Sequence, residues 1–573
     1  MDMKTRIAQL LADTLHKTWP EAEGLPEAAD IRGQLAVPPD PNLGDYAFPC
    51  FRLAKAMRKA PAAIAAELKD KLALPACITR AEVAGGYLNF FEDRAGAAAT
   101  TIMRVLNEGE NYGHSSEGQG KNVCVEFSSI NIAKPFHIGH LPSTAIGNSL
   151  NRIYKALGYN TIAINHLGDW GTQFGKMIVA YKKWGGGKPI EESTVRELVK
   201  LYVRFHEEAE KDESLNDEAR AWFRKIEQGD AEAVDLWQRM KTLTLKEVGE
   251  VYKLLGVEFD SYNGESFYED KMQAVIDELD AKGLLKTDKG AKIVDLSEYN
   301  MPPCIIVKSD GATLYATRDL AAAIYRKNTY DFVKSIYVVA YQQNLHFQQF
   351  FKVLELMGKT WVKDCVHVNF GMVSMEEGTL STRHGNVVYL EDVLNASIEK
   401  TLDIIKEKSP DLEDKEAAAR AVGVGAVVWG ILYNSRIKDT SFSWSKMLNF
   451  DGETGPYAQY THARCCSVLR KANGYDKANV DCSLLSGEAE TALIKAIAAF
   501  PETVKAAAEK YEPYLISREV IDVCSCFNKF YYDCRIMDDN PAVRNARLAL
   551  CDAARICIKN GLYLIGLEAP ERM

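Results

Sequence analysis

The stretch from Val123 to Ile164 constrains the fold more than any other part of this 573-residue chain. Val123, Val125 and Phe127 alternate with Cys124 and Glu126, the two-residue period of a strand. After a loop, Ile146, Leu150, Ile153 and Leu157 step by 4, 3 and 4, which places them on one face of a helix. Gly158 closes that helix, and Thr161-Ile162-Ala163-Ile164 begins the next strand. Strand, helix and strand in this order make a parallel βαβ unit, so an α/β fold is expected here.

The loop inside the unit reads Lys134-Pro135-Phe136-His137-Ile138-Gly139-His140. It lies at a strand end, where an α/β sheet opens its ligand crevice. The start of the following helix offers unpaired N–H groups and a positive dipole, both suited to phosphate. His137 and His140 are three residues apart and can reach the same phosphates, while Gly139 lets a base or ribose approach the backbone. An HxGH sequence occurs in several nucleotidyl-transferase families and does not choose among them.

A chain of this length holds several domains at roughly 100–200 residues each. Residues 1–118 read as a small separate domain with an opening helix and a turn at Val37-Pro38-Pro39-Asp40-Pro41, ending in the linker His114–Gly120. The α/β region spans 119–375 and is interrupted at about 186–299 by a charged, mostly helical insertion. It resumes with the apolar strands Cys304–Val307 and Ile336–Ala340, each followed by a helical stretch. Residues 376–447 read as a connecting helical region and 448–573 as an all-α domain.

The hydrophobic fraction of 47% and charged fraction of 26% are ordinary for a globular protein. No apolar run approaches the ~18–20 residues of a membrane span. The amino terminus carries Asp2 and Asp13 in an amphipathic helical pattern rather than a leader, so a cytoplasmic location and no membrane partner are expected. An odd count of 13 cysteines without a leader predicts reduced thiols. Cys465-Cys466 and Cys524-Ser525-Cys526 lack the spacing of a structural zinc site, so no protein-ligated metal is expected. With 69 basic against 79 acidic residues the net charge is −10, so any RNA partner needs local basic faces.

The HxGH loop is bracketed by Glu126-Phe127-Ser128-Ser129, Asn131-Ile132-Ala133-Lys134-Pro135 and His166-Leu167-Gly168-Asp169-Trp170-Gly171-Thr172-Gln173-Phe174-Gly175. Further on come Leu314-Tyr315-Ala316-Thr317-Arg318-Asp319, Gln342-Gln343-Asn344-Leu345-His346 and the terminal Gly566–Met573. In this collinear order, from Gly44-Asp45-Tyr46-Ala47 to the last residue, the chain resembles the arginyl-tRNA synthetase family. The resemblance implies an α/β multidomain protein: a Rossmann-type class I synthetase catalytic domain, a small α+β N-terminal tRNA-binding domain and an all-α C-terminal anticodon-binding domain. It implies ATP with Mg²⁺ as a substrate complex, L-arginine and tRNA(Arg); a monomer is expected. A cysteinyl enzyme would need zinc ligands that are not found, and a small adenylyltransferase lacks such terminal domains.

The resemblance also assigns roles. Lys134, His137, Gly139 and His140 would serve the phosphates. Glu126, Asp319 and the Tyr315 hydroxyl would surround the guanidinium, with Asn131 and Gln343 nearer the amino-acid backbone. A guanidinium carries five donors in a planar fork and favours carboxylates; lysine would leave some acceptors unpaired. Tyr315 and Asp319, four apart, can share a helix face. The KMSKS-type loop of the class corresponds to Thr379–Asn386, giving Ser381, Thr382, Arg383 and His384 as ATP-loop candidates. Both usual lysine positions are threonine, which points to Lys134 or His384 as the substitute, and Pro142 stands where relatives usually have arginine.

Two basic stripes are candidates for tRNA. Arg52, Lys55 and Lys59 fall at i, i+3 and i+7 beside Arg58. Arg544, Arg547, Arg555 and Lys559 lie within about 120° on a helical wheel, opposite Leu550, Ala553, Ile556 and Cys557. Tyr460, Phe527, Tyr531 and Tyr532 are aromatic candidates for stacking on unpaired bases.

Overall fold

The structure is a computed structural model that describes residues 3–309, 311, 313, 315–376 and 388–573. The ATP-loop candidates Ser381, Thr382, Arg383 and His384 lie outside the described residues. By packing, the chain divides into two compact units: Met1–Asn107 with Gly474–Lys495 and Phe530–Leu550, and Glu108–Asn473 with Ala496–Lys529 and Cys551–Met573.

In the first unit, strands β1 (Tyr46–Pro49), β2 (Ile78–Ala84) and β3 (Tyr87–Glu92) form an antiparallel sheet in the order β1-β3-β2. The helices Met3–Thr18 and Pro61–Lys71 close its core, through Ile7, Leu11, Leu15, Ile64 and Leu68 against Phe48, Leu88 and Phe90. The basic stripe expected here is broken. The helix Leu53–Met57 stops at Arg58, whose φ of 50° is left-handed, and Pro61 holds Ala60 extended before the next helix starts. Lys59 therefore sits beyond the helix, paired with Glu67 at 2.6 Å. Arg52 and Lys55 remain exposed.

The second unit is built on four parallel strands, β4 (Asn122–Glu126), β5 (Asn160–Ile164), β9 (Lys334–Ala340) and β10 (Cys365–Phe370), in the order β10-β9-β4-β5. Strand β4 pairs with β5 on one side and β9 on the other, so Glu126 lies between Ile164 and Tyr337. Strand order reverses between β4 and β9. Their carboxyl ends flank the switch-point crevice where open α/β sheets bind ligands. The helix Leu141–Ala156 makes the β4–β5 crossover, and Pro142 is accommodated within its first turn, where no intrahelical N–H bond is lost.

The strand Cys304–Val307 departs from expectation. Numbered β8, it joins a separate antiparallel sheet with β6 (Leu285–Asp288) and β7 (Ala291–Val294), in the order β6-β7-β8. Its burial alternates, with Ile306 buried and Ile305 41% exposed, which suits a sheet wet on one face. Strand β9 is buried along four successive residues, as a strand covered on both faces must be. The insertion before it contributes the helices Val195–Ala209, Ser214–Glu227, Ala231–Leu255 and Met272–Ala281. No helix among the described residues is long and apolar enough to cross a membrane.

Candidate active site

After β4 the backbone is tightly determined. Ser128 and Ala133 are non-glycine residues in the left-handed region, at φ 57° and 55°. Such conformations persist where surrounding contacts over-determine them. Ser128 Oγ meets Thr144 Oγ1 at 2.6 Å and Tyr252 Oη at 2.9 Å, and its N–H donates to Ser143 Oγ at 2.9 Å. The Ala133 N–H donates to Thr244 Oγ1 at 3.2 Å. Thr244 and Tyr252 belong to the Ala231–Leu255 helix, so the insertion helps to shape this loop.

His137 caps a 3₁₀ turn, Ile138–His140, that leads into the crossover helix. Its Nδ1 accepts the Gly139 N–H at 3.0 Å. The His137 N–H in turn reaches His140 Nδ1 at 3.2 Å. The His137 carbonyl already accepts the His140 N–H, so taking Nδ1 of His140 as acceptor leaves no backbone group unmet. His137 then carries its hydrogen on Nε2, while His140 Nδ1 also lies 3.2 Å from the His137 carbonyl. Burial lowers the pKa of His137, and burial followed by the neighbouring His137 lowers that of His140 to about 4. At neutral pH this is a pair of uncharged donors, with ring centroids 4.1 Å apart. A Cβ at Gly139 would stand 2.8 Å from the His137 ring, so the glycine leaves room for that ring. Lys134 is exposed on the same loop, with no hydrogen-bond or ion-pair partner among the described residues.

The segment downstream of the ATP-loop candidates is tied to this turn. The Ile138 N–H donates to the Val388 carbonyl and the Leu390 N–H to the Phe136 carbonyl, both at 3.0 Å, with His137 and Tyr389 bridged between them.

The carboxylates come from further apart. Glu126, 8% exposed, ends β4 and is held by Arg326. Asp319 lies in the first part of the helix Tyr315–Tyr330, and its Oδ2 meets His346 Nε2 at 2.6 Å. His166, just past β5, places Nε2 4.0 Å from Asp319 Oδ1 and Nδ1 3.4 Å from Arg326 Nη2. Tyr315 is 56% exposed and sets its ring 5.0 Å from His346. The expected shared face of Tyr315 and Asp319 is thus present, with His346 between them. Gln343, exposed, follows β9 at the turn into the helix Asn344–Leu356. Asn131, also exposed, pairs its backbone with Gly168, where a Cβ would strike the Asn131 side chain at 2.2 Å.

Several contributors had no separate signal in the sequence. Asp169 is fully buried and accepts from Ser266 N–H at 2.9 Å, Ser266 Oγ at 2.8 Å and Lys241 Nζ at 2.5 Å, stitching the insertion to the site. Arg318 pairs with Glu265 and Glu269 at 3.2 and 2.9 Å. His346 and Arg326 complete the set; Arg326 lies two turns beyond Asp319 on the same helix, outside the motifs that hold Asp169, Arg318 and His346.

The carboxyl-terminal basic stripe lies on one helix, Pro541–Leu564, but most of its charge is already engaged. Arg547 bonds Glu490 at 2.8 Å and Asp538 at 3.1 Å. Arg555 grips Asp552 at 2.7–2.8 Å, Lys559 pairs with Glu110 at 2.7 Å, and Arg544 reaches the Asp538 carbonyl at 3.4 Å. Phe527 is core, whereas Tyr532 is 90% exposed, with Tyr531 and Tyr460 partly so.

A parallel sheet with an HxGH turn at its switch point and an inserted helical region places this chain among the class I aminoacyl-tRNA synthetases. Residues 101–444 match the family model described as tRNA synthetases class I (R), catalytic domain. Residues 458–573 match the DALR anticodon binding domain, and 3–91 the arginyl tRNA synthetase N terminal domain. The chain is 56% identical to the arginine–tRNA ligase of Clostridioides difficile over 95% of its own length and 96% of the relative's. It is 52% identical to that of Halothermothrix orenii over the whole of both chains. The solved arginyl-tRNA synthetase of Thermus thermophilus superposes with a TM-score of 0.81 at 25% identity, covering all of both chains. The chain belongs to the arginyl-tRNA synthetase family.

Proposed function

We propose that this chain attaches arginine to tRNA(Arg) in two steps, with the residue roles set out below. In the first step an arginine carboxylate oxygen bonds to the α-phosphorus of ATP and the bond to the leaving pyrophosphate breaks. In the second, the terminal 2′-hydroxyl of tRNA attacks the arginyl carbonyl and AMP leaves. ATP enters as its magnesium complex, a substrate rather than a resident metal.

The observation that carries this reading is the presence, at one switch point, of the neutral His137–His140 pair and two carboxylates. His137 and His140 donate to the phosphate oxygens on which charge accumulates, a task that positioned donors perform without reorganising. Lys134 supplies a cation for the phosphates, with Ser381, Thr382, Arg383 and His384 as the candidates for the ATP loop. Asp319 and Glu126 hold the guanidinium with the Tyr315 hydroxyl, while Asn131 and Gln343 orient the amino-acid backbone. Exposed Arg52 and Lys55, with Tyr532, are the tRNA contacts the surface favours; Arg547 and Arg555 already have carboxylate partners. We keep the partition at residues 118, 375 and 447, a monomeric state and a cytoplasmic location as parts of the same reading.

The test is ATP–pyrophosphate exchange with and without tRNA, using arginine, lysine and cysteine. Exchange driven by arginine alone, and only with tRNA present, is the expected result. Measurable tRNA binding with no exchange under any amino acid would overturn it.

A further inference from the structure

Arg326 is the largest fully buried side chain among the described residues, at 1% exposure, and it lies beneath the arginine side of the site. Its Nη1 donates to Glu126 Oε2, its Nη2 lies 3.4 Å from His166 Nδ1, and its guanidinium carbon is 5.7 Å from the Tyr337 ring centroid. Burial acts to lower its pKa, but Glu126 foremost, then Tyr268 and Tyr337, outweigh that and hold it above the ordinary arginine range.

As a stability device this pair is a poor one. A buried ion pair is often matched or bettered by apolar residues of similar volume. Arg326 also leaves its buried Nε without a hydrogen-bond partner among the described residues. Its value has to be sought in what it does to its neighbours.

Two consequences follow from its donors. A guanidinium only donates, so His166 must accept at Nδ1 and carry its hydrogen on Nε2, the atom 4.0 Å from Asp319. Glu126 has one oxygen, Oε2, committed to Arg326, which fixes the carboxylate's rotation and leaves Oε1 as the acceptor for another group. Asp319 and Arg326 are seven residues apart, two turns on one face of the helix Tyr315–Tyr330. One helix thus presents an acid at its exposed start and, deeper, the base that orients the second acid.

The geometry points to Arg326 as a positioning residue for arginine recognition, acting through Glu126. This rests on the reading above that Glu126 contacts the substrate guanidinium. Arg326 itself is not placed in contact with substrate.

The experiment measures KM for arginine and for ATP, together with kcat, in tRNA-supported pyrophosphate exchange. The variants are Arg326→Met, Arg326→Lys, Glu126→Gln and the double variant Glu126→Gln/Arg326→Met. Arg326→Met should raise the arginine KM by about 100-fold with the ATP KM within about twofold, and Arg326→Lys should recover about tenfold of that loss. In the Glu126→Gln background, adding Arg326→Met should change the arginine KM by less than about threefold, because the group it positions is already gone. The double variant has no buried charge left unpaired, so this comparison survives a failure of Arg326→Met to fold. Full additivity, or equal rises in both KM values, would overturn the proposal. An unchanged arginine KM in Glu126→Gln would instead overturn the substrate role of Glu126 on which it stands.

Discussion

The sides of the site proposed for phosphate and for arginine are built on different principles. On the phosphate side, His137, Gly139 and His140 hold one another through backbone N–H groups two and three residues away. On the arginine side, Glu126 meets Arg326, 200 positions distant on the helix that also carries Asp319, and His166 and His346 come from two further segments. In the proposed function the local device presents neutral donors to charge that forms transiently, and the dispersed one presents fixed carboxylates to charge that is permanent. The first should govern rate and the second selection.

His140→Ala tests the rate side with the largest expected effect. Losing one preorganised donor should slow adenylate formation by about 10²–10³-fold. The arginine KM should stay within about threefold, as read by exchange kinetics. Asp319→Asn is its mirror image: arginine KM should rise about 100-fold, the scale of truncating one member of a charge pair, with kcat at saturating arginine much less affected. Equal losses in both parameters for either variant would erase the distinction drawn here.

Gly139→Ala should be milder and still fall on the rate side. The new Cβ meets the His137 ring at 2.8 Å, so the ring must turn, and a drop in kcat of about tenfold is expected. The pH profile gives the smallest signal. Because burial lowers both histidines, His140 to about 4, neither should impose a loss of kcat as pH rises from 6 to 8. Catalysis by imidazolium would decline across that range. For stability the sign is the reverse of a salt-bridged histidine. Below about pH 6.5 the unfolded chain takes up a proton that folded His140 refuses until about 4, so stability should fall as pH drops through that window. Urea melts at pH 7 and pH 5 would show whether it does.

The same contrast explains what could be read in advance. The βαβ unit follows from apolar periods of two and of three to four residues, and periodicity is local. Cys304–Val307 shows the limit: four apolar residues specify a strand but not its sheet, and only the partners β6 and β7 reveal a sheet with one wet face. The stripe Arg544, Arg547, Arg555 and Lys559 does lie on one helix, yet no helical wheel could show that Glu490 or Glu110 neutralises parts of it. The stripe at Arg52, Lys55 and Lys59 is broken because the helix ends at Met57 with Arg58 left-handed; Pro61, which disfavours a helical Ala60, was the visible sign of a boundary nearby.

By itself, then, the sequence determined the parallel core, the HxGH turn and the family, because each rests on neighbours in the chain or on motifs in fixed order. Tertiary structure decided how the carboxylates are held, which basic residues remain free, and that Asp169 binds the insertion to the site through Lys241 and Ser266. The physical reason is that a charge acts according to its partners in space. Burial and pairing join residues 72, 97 and 200 positions apart, at distances no pattern along the chain encodes.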